Sequence, residues 1–324
     1  MSEPLCLSGV RVEHSAIGGA RRAQIPATPP ARAPAVAQTL VAWGLAGPAV
    51  FFLLVLFLLP VTGVFVIALS DWQFGARSLS FVGFANFREV FVDAGFRASL
   101  LNSVVYVLIV VPGSVILGLM IAVLIESGRS LRSFYRAIHF LPFMATLAAM
   151  AIAWEALLHP TIGFVNQALA VIGLPTANWL RDENTALPVL AIIGIWQNLG
   201  YAMVLFLAGL KSIPQDLYDA ADVDGADLWL DRLCIVTLPM LGPVSMFVVI
   251  VVAVRAFEPF DAVKVLTQGG PGHASEMLLY TLYRESFEYL RTGFGAAVAV
   301  VFLAIVVTLT LVQARIMGNR VHYQ

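Results

Sequence analysis

The run FFLLVLFLLPVTGVFVIAL, residues 51–69, settles which solvent this chain folds in. It carries no charge and is close to the roughly 20 apolar residues that a helix needs to cross the hydrocarbon core of a bilayer. In lipid the backbone must satisfy its own hydrogen bonds, which a helix does within one segment. AAVAVVFLAIVVTLTLV, residues 296–312, repeats the pattern near the C-terminus. Composition agrees: the chain is 60% hydrophobic and 12% charged, against about 45–50% and about 25% in soluble domains. So little charge cannot cover a soluble surface of this size.

Six segments reach or approach spanning length, at about 46–70, 101–125, 137–158, 187–210, 239–258 and 293–315. The expectation is an all-α polytopic membrane protein with six transmembrane helices over residues 40–324. The third and fourth segments carry Pro142, Trp154, Glu155, Trp196, Gln197 and Asn198. Such residues face a bundle interior rather than lipid. Residues 1–39 hold Arg11, Arg21, Arg22 and Arg32 among Ala and Pro, with no apolar core; they read as a disordered cytoplasmic tail and not as a signal peptide.

With both termini inside, eleven of the nineteen Lys and Arg lie on the cytoplasmic side and eight outside. The loop ESGRSLRSFYR places Arg129, Arg132 and Arg136 beside a helix end, where the positive-inside bias is strongest. The net charge of −1 gives no basic face for nucleic acid. Cys6 and Cys234 have no metal-ligand spacing and read as free thiols, Cys234 as a small buried residue. No P-loop, HExxH, nucleophile elbow or dinucleotide fingerprint is present, so nothing argues for an enzyme or for a metal or cofactor held on this chain.

Between the apolar segments lies one polar island, SIPQDLYDAADVDGADLWLDRLCIVTLPMLGP, residues 212–243. It holds Asp216, Asp219, Asp222, Asp224, Asp227 and Asp231. Ser212 and Gln215 have capping-box spacing, with Pro214 in the first turn. Leu217, Ala220 and Ala221 then make an apolar stripe. Asp224-Gly225 breaks this helix, and Asp224 is placed to cap a second one with Asp227 at its third position. Ala220-Ala221 and Gly225-Ala226 are small where a solvated surface would carry Lys or Glu, which favours close approach of another protein over a solvated acidic hairpin. Outside, residues 71–100 are aromatic and mixed in charge, and Gly269-Gly270-Pro271-Gly272 marks a tight turn.

AADVDGA followed by TLPMLGP resembles the cytoplasmic EAA signature of permease subunits of binding-protein-dependent ABC importers. Asp219-Ala220-Ala221 stands at that family's Glu-Ala-Ala, Gly225 at its glycine, and Leu238-Pro239 at its Leu-Pro. Two departures stand out: Asp replaces Glu at 219, and one residue more than the commonest spacing separates Gly225 from Leu238-Pro239. FVGFANFREVF (81–91), WEALLHPTIGFVNQAL (154–169) and FDAVKVLTQGGPG (260–272) are similar to the carbohydrate branch, of maltose and sn-glycerol-3-phosphate type, and LYRESF with the final RVHYQ resembles the glycerol-3-phosphate subunit.

The resemblance implies a type I importer fold of six core helices in the inner membrane. It also implies a second permease subunit, two cytoplasmic ATP-binding subunits that carry ATP and Mg, and an extracytoplasmic solute-binding protein. Asp219, Ala220, Ala221, Asp224, Gly225, Ala226, Leu238 and Pro239 would couple to the ATPase, within a loop of about 211–238. Closure of the ATPases would drag the 213–233 helices and tilt the attached spans. Gly269, Gly270 and Pro271 would lie in a periplasmic loop. Gln197, Asn198, Tyr201, Glu258 and Asp261 are polar groups for a solute pathway, with Trp154 as a sugar-stacking face; for each the other reading is an interhelical hydrogen bond or an interface anchor. The alternative function is an ion-coupled secondary transporter, which would show internal repeats and ionisable pairs buried mid-span. A receptor or scaffold without transport is the third.

Overall fold

The computed structural model describes residues 35–128, 130–226 and 228–320. The chain divides after Phe57 into two units. The described part of the first is α1 (Ala35–Leu53) and the start of a wide, π-type turn at Leu54. Trp43, Phe51 and Phe52 are exposed, as a lipid-facing helix requires. The tail expected over 1–39 lies outside the described residues as far as 34; from Ala35 onward it is helix.

Among the described residues, the named elements of the second unit are all helices. It comprises α2 (Leu59–Ala68), α3 (Ala85–Val92), α4 (Ala94–Ser127), α5 (Arg132–Met144), α6 (Leu147–Leu157), α7 (Phe164–Val171), α8 (Ala186–Lys211), α9 (Gln215–Val223), α10 (Trp229–Arg232), α11 (Leu238–Met240), α12 (Gly242–Ala256), α13 (Phe260–Ala262), α14 (Leu278–Tyr283) and α15 (Thr292–Arg320). Wide turns sit at Leu233–Thr237, Val263–Thr267 and Arg284–Glu288. Ala42–Ala68, Ala94–Ser127, Ala186–Lys211 and Thr292–Ile316 are each long and apolar enough to cross a membrane. Two sharply bent helix pairs complete the expected six when each is counted as one crossing.

Those bent pairs correct the sequence reading. The segment expected as one helix over 137–158 is α5 and α6, joined at 102° through extended backbone at Ala145 and Thr146. Pro142 cannot donate to the carbonyl of Ile138, so the last turn before the break is already weakened. The segment expected over 239–258 starts earlier: helix runs from Trp229 to Met240, turns by 71°, and resumes at Gly242. Pro243 sits in the first turn of α12, where its missing N–H costs nothing. The second span is also longer than 101–125. It begins at Ala94 because Asp93 caps it, its carboxylate accepting the N–H of Phe96 at 2.7 Å.

α8 is the most buried span and packs along α4, α5 and α12. Phe96, Ser99, Ser103, Tyr106, Val110, Ser114, Gly118, Ala122 and Ile125 are buried at helical spacing along α4. The crossing with α8 depends on small residues: a Cβ on Gly118 would lie 2.7 Å from that of Ala202 and 3.0 Å from the carbonyl oxygen of Leu199. Gly194 makes room for the Tyr106 ring, and Gly200 lets the backbone of α5 at His139 lie directly against α8. Since lipid gives apolar helices little reason to associate, such close backbone packing holds the bundle together.

Candidate functional site

The polar island is fastened to the bundle. Ala221 and Ala226 are buried in one apolar cluster with Ala122 and Ile125 of α4, Met203, Phe206 and Leu210 of α8, and Val248 of α12. Tyr218 Oη is hydrogen-bonded to Thr237 Oγ1 at 3.1 Å, and Arg232 pairs with Asp222 at 2.9 Å. α9 ends in a Schellman motif: the N–H of Ala226 bonds the carbonyl of Ala221 at 2.9 Å and that of Gly225 bonds Asp222 at 3.2 Å. Gly225 takes the left-handed conformation this requires, with φ +88°.

Several local expectations change. Ser212 does not cap α9; its hydroxyl donates to the carbonyl of Gly209 at the end of α8, and Pro214 holds the N-cap position. Asp224 closes α9 and does not cap α10, whose N-cap residue is Leu228; Asp227 lies outside the described residues. Of the expected stripe only Ala221 is buried, while Leu217 and Ala220 face outward. Helical twist puts Tyr218, not Leu217, on the inner face with Ala221. Cys234 is free but exposed, contrary to the buried site expected.

The extra residue before Leu238-Pro239 has a physical account. The N–H of Leu238 reaches back five residues to the carbonyl of Leu233. A π-type turn holds one residue more than an α turn, so the wide turn takes up the insertion. It also widens the helix just where the Pro239 ring would crowd the carbonyl of Ile235.

What the island presents outward is mixed in chemistry. Asp216, Asp219, Ala220, Asp224 and Gly225 are exposed. In the same segment Val223 (88% exposed), Leu228, Trp229 (65%), Leu230 and Ile235 are apolar side chains left exposed by the described residues. Sequence reading named the small and acidic residues and missed Val223 and Trp229. Their signal was an apolar side chain inside an otherwise polar island.

A second constellation lies between α4, α5, α8 and the α12–α13 turn. Tyr106, Phe143, Ile193, Gln197, Asn198, Arg255, Glu258 and Asp261 line a cavity of about 220 Å³. Four of the six expected pathway residues therefore share one space: Gln197, Asn198, Glu258 and Asp261. Asn198 also donates to the carbonyl of Gly194 at 2.8 Å. Tyr201 stands beside the cavity rather than in it, stacked on Phe143 at 4.7 Å. Trp154 is not in the lining; it meets Trp196 edge-on at 5.4 Å and packs on the apolar core. Arg255 was not foreseen from the sequence. Its guanidinium lies over Phe143 at 4.5 Å and Tyr201 at 5.6 Å.

Gly269, Gly270 and Pro271 belong to the tight turn expected of them. Gly269 has φ +78°, and a Cβ there would lie 3.1 Å from the Tyr280 ring. The turn wraps a fully buried carboxylate, Glu276, which is met by Arg284 at 2.6 Å, by the hydroxyl of Thr281 at 2.6 Å and by His273. Asn102 of α4 donates to the carbonyls of His273 and Glu276 at 2.8 and 3.0 Å. Nearby, burial pushes the Glu285 carboxyl upward, opposed by Arg291 at 3.0 Å.

Residues 94–323 match the model of a family described as binding-protein-dependent transport system inner membrane component. The chain belongs to this family, the permeases of ABC importers. It is 33% identical over 272 residues to a probable ABC transporter permease protein of Pyrococcus horikoshii, covering 80% of this chain and 93% of the relative. A probable ABC transporter permease protein of Bacillus subtilis, YurN, is 33% identical over 83% of this chain and 92% of its own length. The sn-glycerol-3-phosphate transport system permease protein UgpA of Pectobacterium atrosepticum is 31% identical over 78% of this chain and 84% of its own. Among solved structures, a bacterial ABC transporter involved in the import of alginate has a chain of the same fold, with TM-score 0.78 at 20% identity, covering 89% of this chain and 98% of that one. As a permease subunit the chain is a membrane component and not an enzyme. Its type I importer fold of six spans is the one expected, with two spans bent.

Proposed function

We propose that this permease forms half of the translocation pathway for a carbohydrate or a related polyol or glycerol-phosphate solute, and that α9 and α10 couple it to a cytoplasmic ATPase. The observation that carries the reading is the outward face of the island. Val223, Leu228, Trp229 and Leu230 expose apolar surface beside Asp219, Asp224 and Gly225, on helices pinned to the ends of α4 and α8. An apolar surface ringed by acidic groups is suited to bury against another protein. The pins transmit its displacement: a push on α9 reaches α8 through Ala221 and α12 through Tyr218 and Thr237.

On this reading the partners are a second permease subunit, two ATP-binding subunits holding ATP and Mg, and an extracytoplasmic solute-binding protein. One structural neighbour is a bacterial alginate transporter in complex with an alginate pentasaccharide-bound periplasmic protein. The termini are cytoplasmic, and Gly269, Gly270 and Pro271 face the periplasm. The solute passes Gln197, Asn198, Glu258 and Asp261, with Tyr201 beside them. The relatives named for sn-glycerol 3-phosphate support a polyol-derived solute, without deciding its charge.

The test is uptake into proteoliposomes. The chain, its second permease and the ATPases should accumulate labelled solute only with ATP on the ATPase side and binding protein on the other. Uptake driven by an ion gradient with no ATPase present would refute the proposal in favour of a secondary transporter.

A further inference from the structure

The central cavity has a charge balance of its own. Arg255, Glu258 and Asp261 line one space of about 220 Å³ together with the Gln197 amide and the rings of Tyr106 and Phe143. Among the described residues none of the three makes an ion pair with another side chain. Arg255 is held instead by its flat face, over Phe143 and Tyr201, which leaves the N–H edge of the guanidinium free. Charged side chains at membrane depth are costly, and they persist where they meet one another, water or a solute.

Resting on the reading of this cavity as solute pathway, we propose that Arg255, Glu258 and Asp261 make it selective for neutral polyhydroxylated solutes over anions. A sugar or polyol hydroxyl both donates and accepts. Glu258 and Asp261 accept hydrogen bonds from its hydroxyls, Arg255 donates to its oxygens, and the Gln197 amide does both. A phosphate or carboxylate gains from Arg255 and the Gln197 amide but meets two like charges within the same small space. The formal charges of Arg255, Glu258 and Asp261 sum to −1, so discrimination comes from repulsion as much as from attraction.

The experiment is ATP-dependent uptake by the complete transporter in proteoliposomes, from a panel of labelled glycerol, sorbitol, glucose and maltose against sn-glycerol 3-phosphate and glucuronate. The accumulated solute should be neutral. The double variant Glu258→Gln, Asp261→Asn should raise the anion-to-neutral uptake ratio at least tenfold, which a merely structural role for the two acids would not do. Arg255→Gln should lower neutral uptake at least tenfold, with Arg255→Lys failing to restore it, because an ammonium lacks the planar fork. Wild-type uptake of an anion in preference to every neutral solute would overturn the inference while leaving the importer standing. An unchanged ratio in the double variant would also overturn it. No ATP-dependent uptake of any solute would instead strike the importer reading itself.

Discussion

Gly225→Val isolates the backbone geometry of the proposed coupling segment from its contacts. A Cβ at Gly225 meets nothing within 4 Å, so the substitution causes no clash. The cost lies in φ +88° alone, which an L-residue adopts at about 1–2 kcal/mol and a β-branched one at the upper end. The Schellman bonds from Gly225 and Ala226 to Asp222 and Ala221 then open, and Ala226 leaves the cluster that holds α9 to α8. Affinity for the ATPase should weaken by a factor of about 5–30, the equivalent of that energy. Titration of purified ATPase onto the permease complex in nanodiscs measures it. Gly225→Asn, which tolerates the left-handed region, should bind within about threefold of wild type. If Val binds as well as Gly, or Asn as poorly as Val, the backbone argument is wrong.

Other substitutions separate the bundle from the island. Gly200→Leu drives a side chain into the α5 backbone at His139 and should cost about 1–3 kcal/mol or more, read as a loss of folded protein in thermal melts in detergent. Glu276→Gln leaves Arg284, whose side chain is only 14% exposed, without its counter-charge; a cost of about 3–5 kcal/mol is expected, with a matching fall in melting temperature. Asp222→Ala removes an ion pair that is about two-fifths exposed at each end; it should change ATPase affinity by less than about fivefold, since such pairs contribute about 0.2–1 kcal/mol.

The spans were legible because charge-free runs of this length have one outcome in lipid. The fourth and sixth, expected over 187–210 and 293–315, are found as Ala186–Lys211 and Thr292–Ile316. Bends were not legible. Pro142 and Pro243 lie close to the two bends, but the break after Met144 and the turn at Leu241 depend on what the helices pack against. The island's two helices and its glycine were readable from small and acidic residues, while its caps were not. Ser212 had a competing acceptor in the Gly209 carbonyl, and bonding back to α8 won. The wide turn at Leu233–Thr237 left a trace only as one residue too many. In the cavity, polarity at membrane depth found Gln197, Asn198, Glu258 and Asp261. Arg255 escaped because its ring partners come from α5 and α8, far away in sequence.

The claim that the island is the cytoplasmic seat of an ATPase is tested most directly by site-specific cross-linking. With Cys6 and Cys234 replaced by Ser, single cysteines are placed at Val223, on the island, and at Phe84, a comparably exposed residue in the expected outside loop. In the assembled transporter Val223→Cys should cross-link to an ATP-binding subunit and Phe84→Cys should not. An ATPase cross-linked through position 84, or none through 223 in a complex that still hydrolyses ATP and transports, would contradict the account.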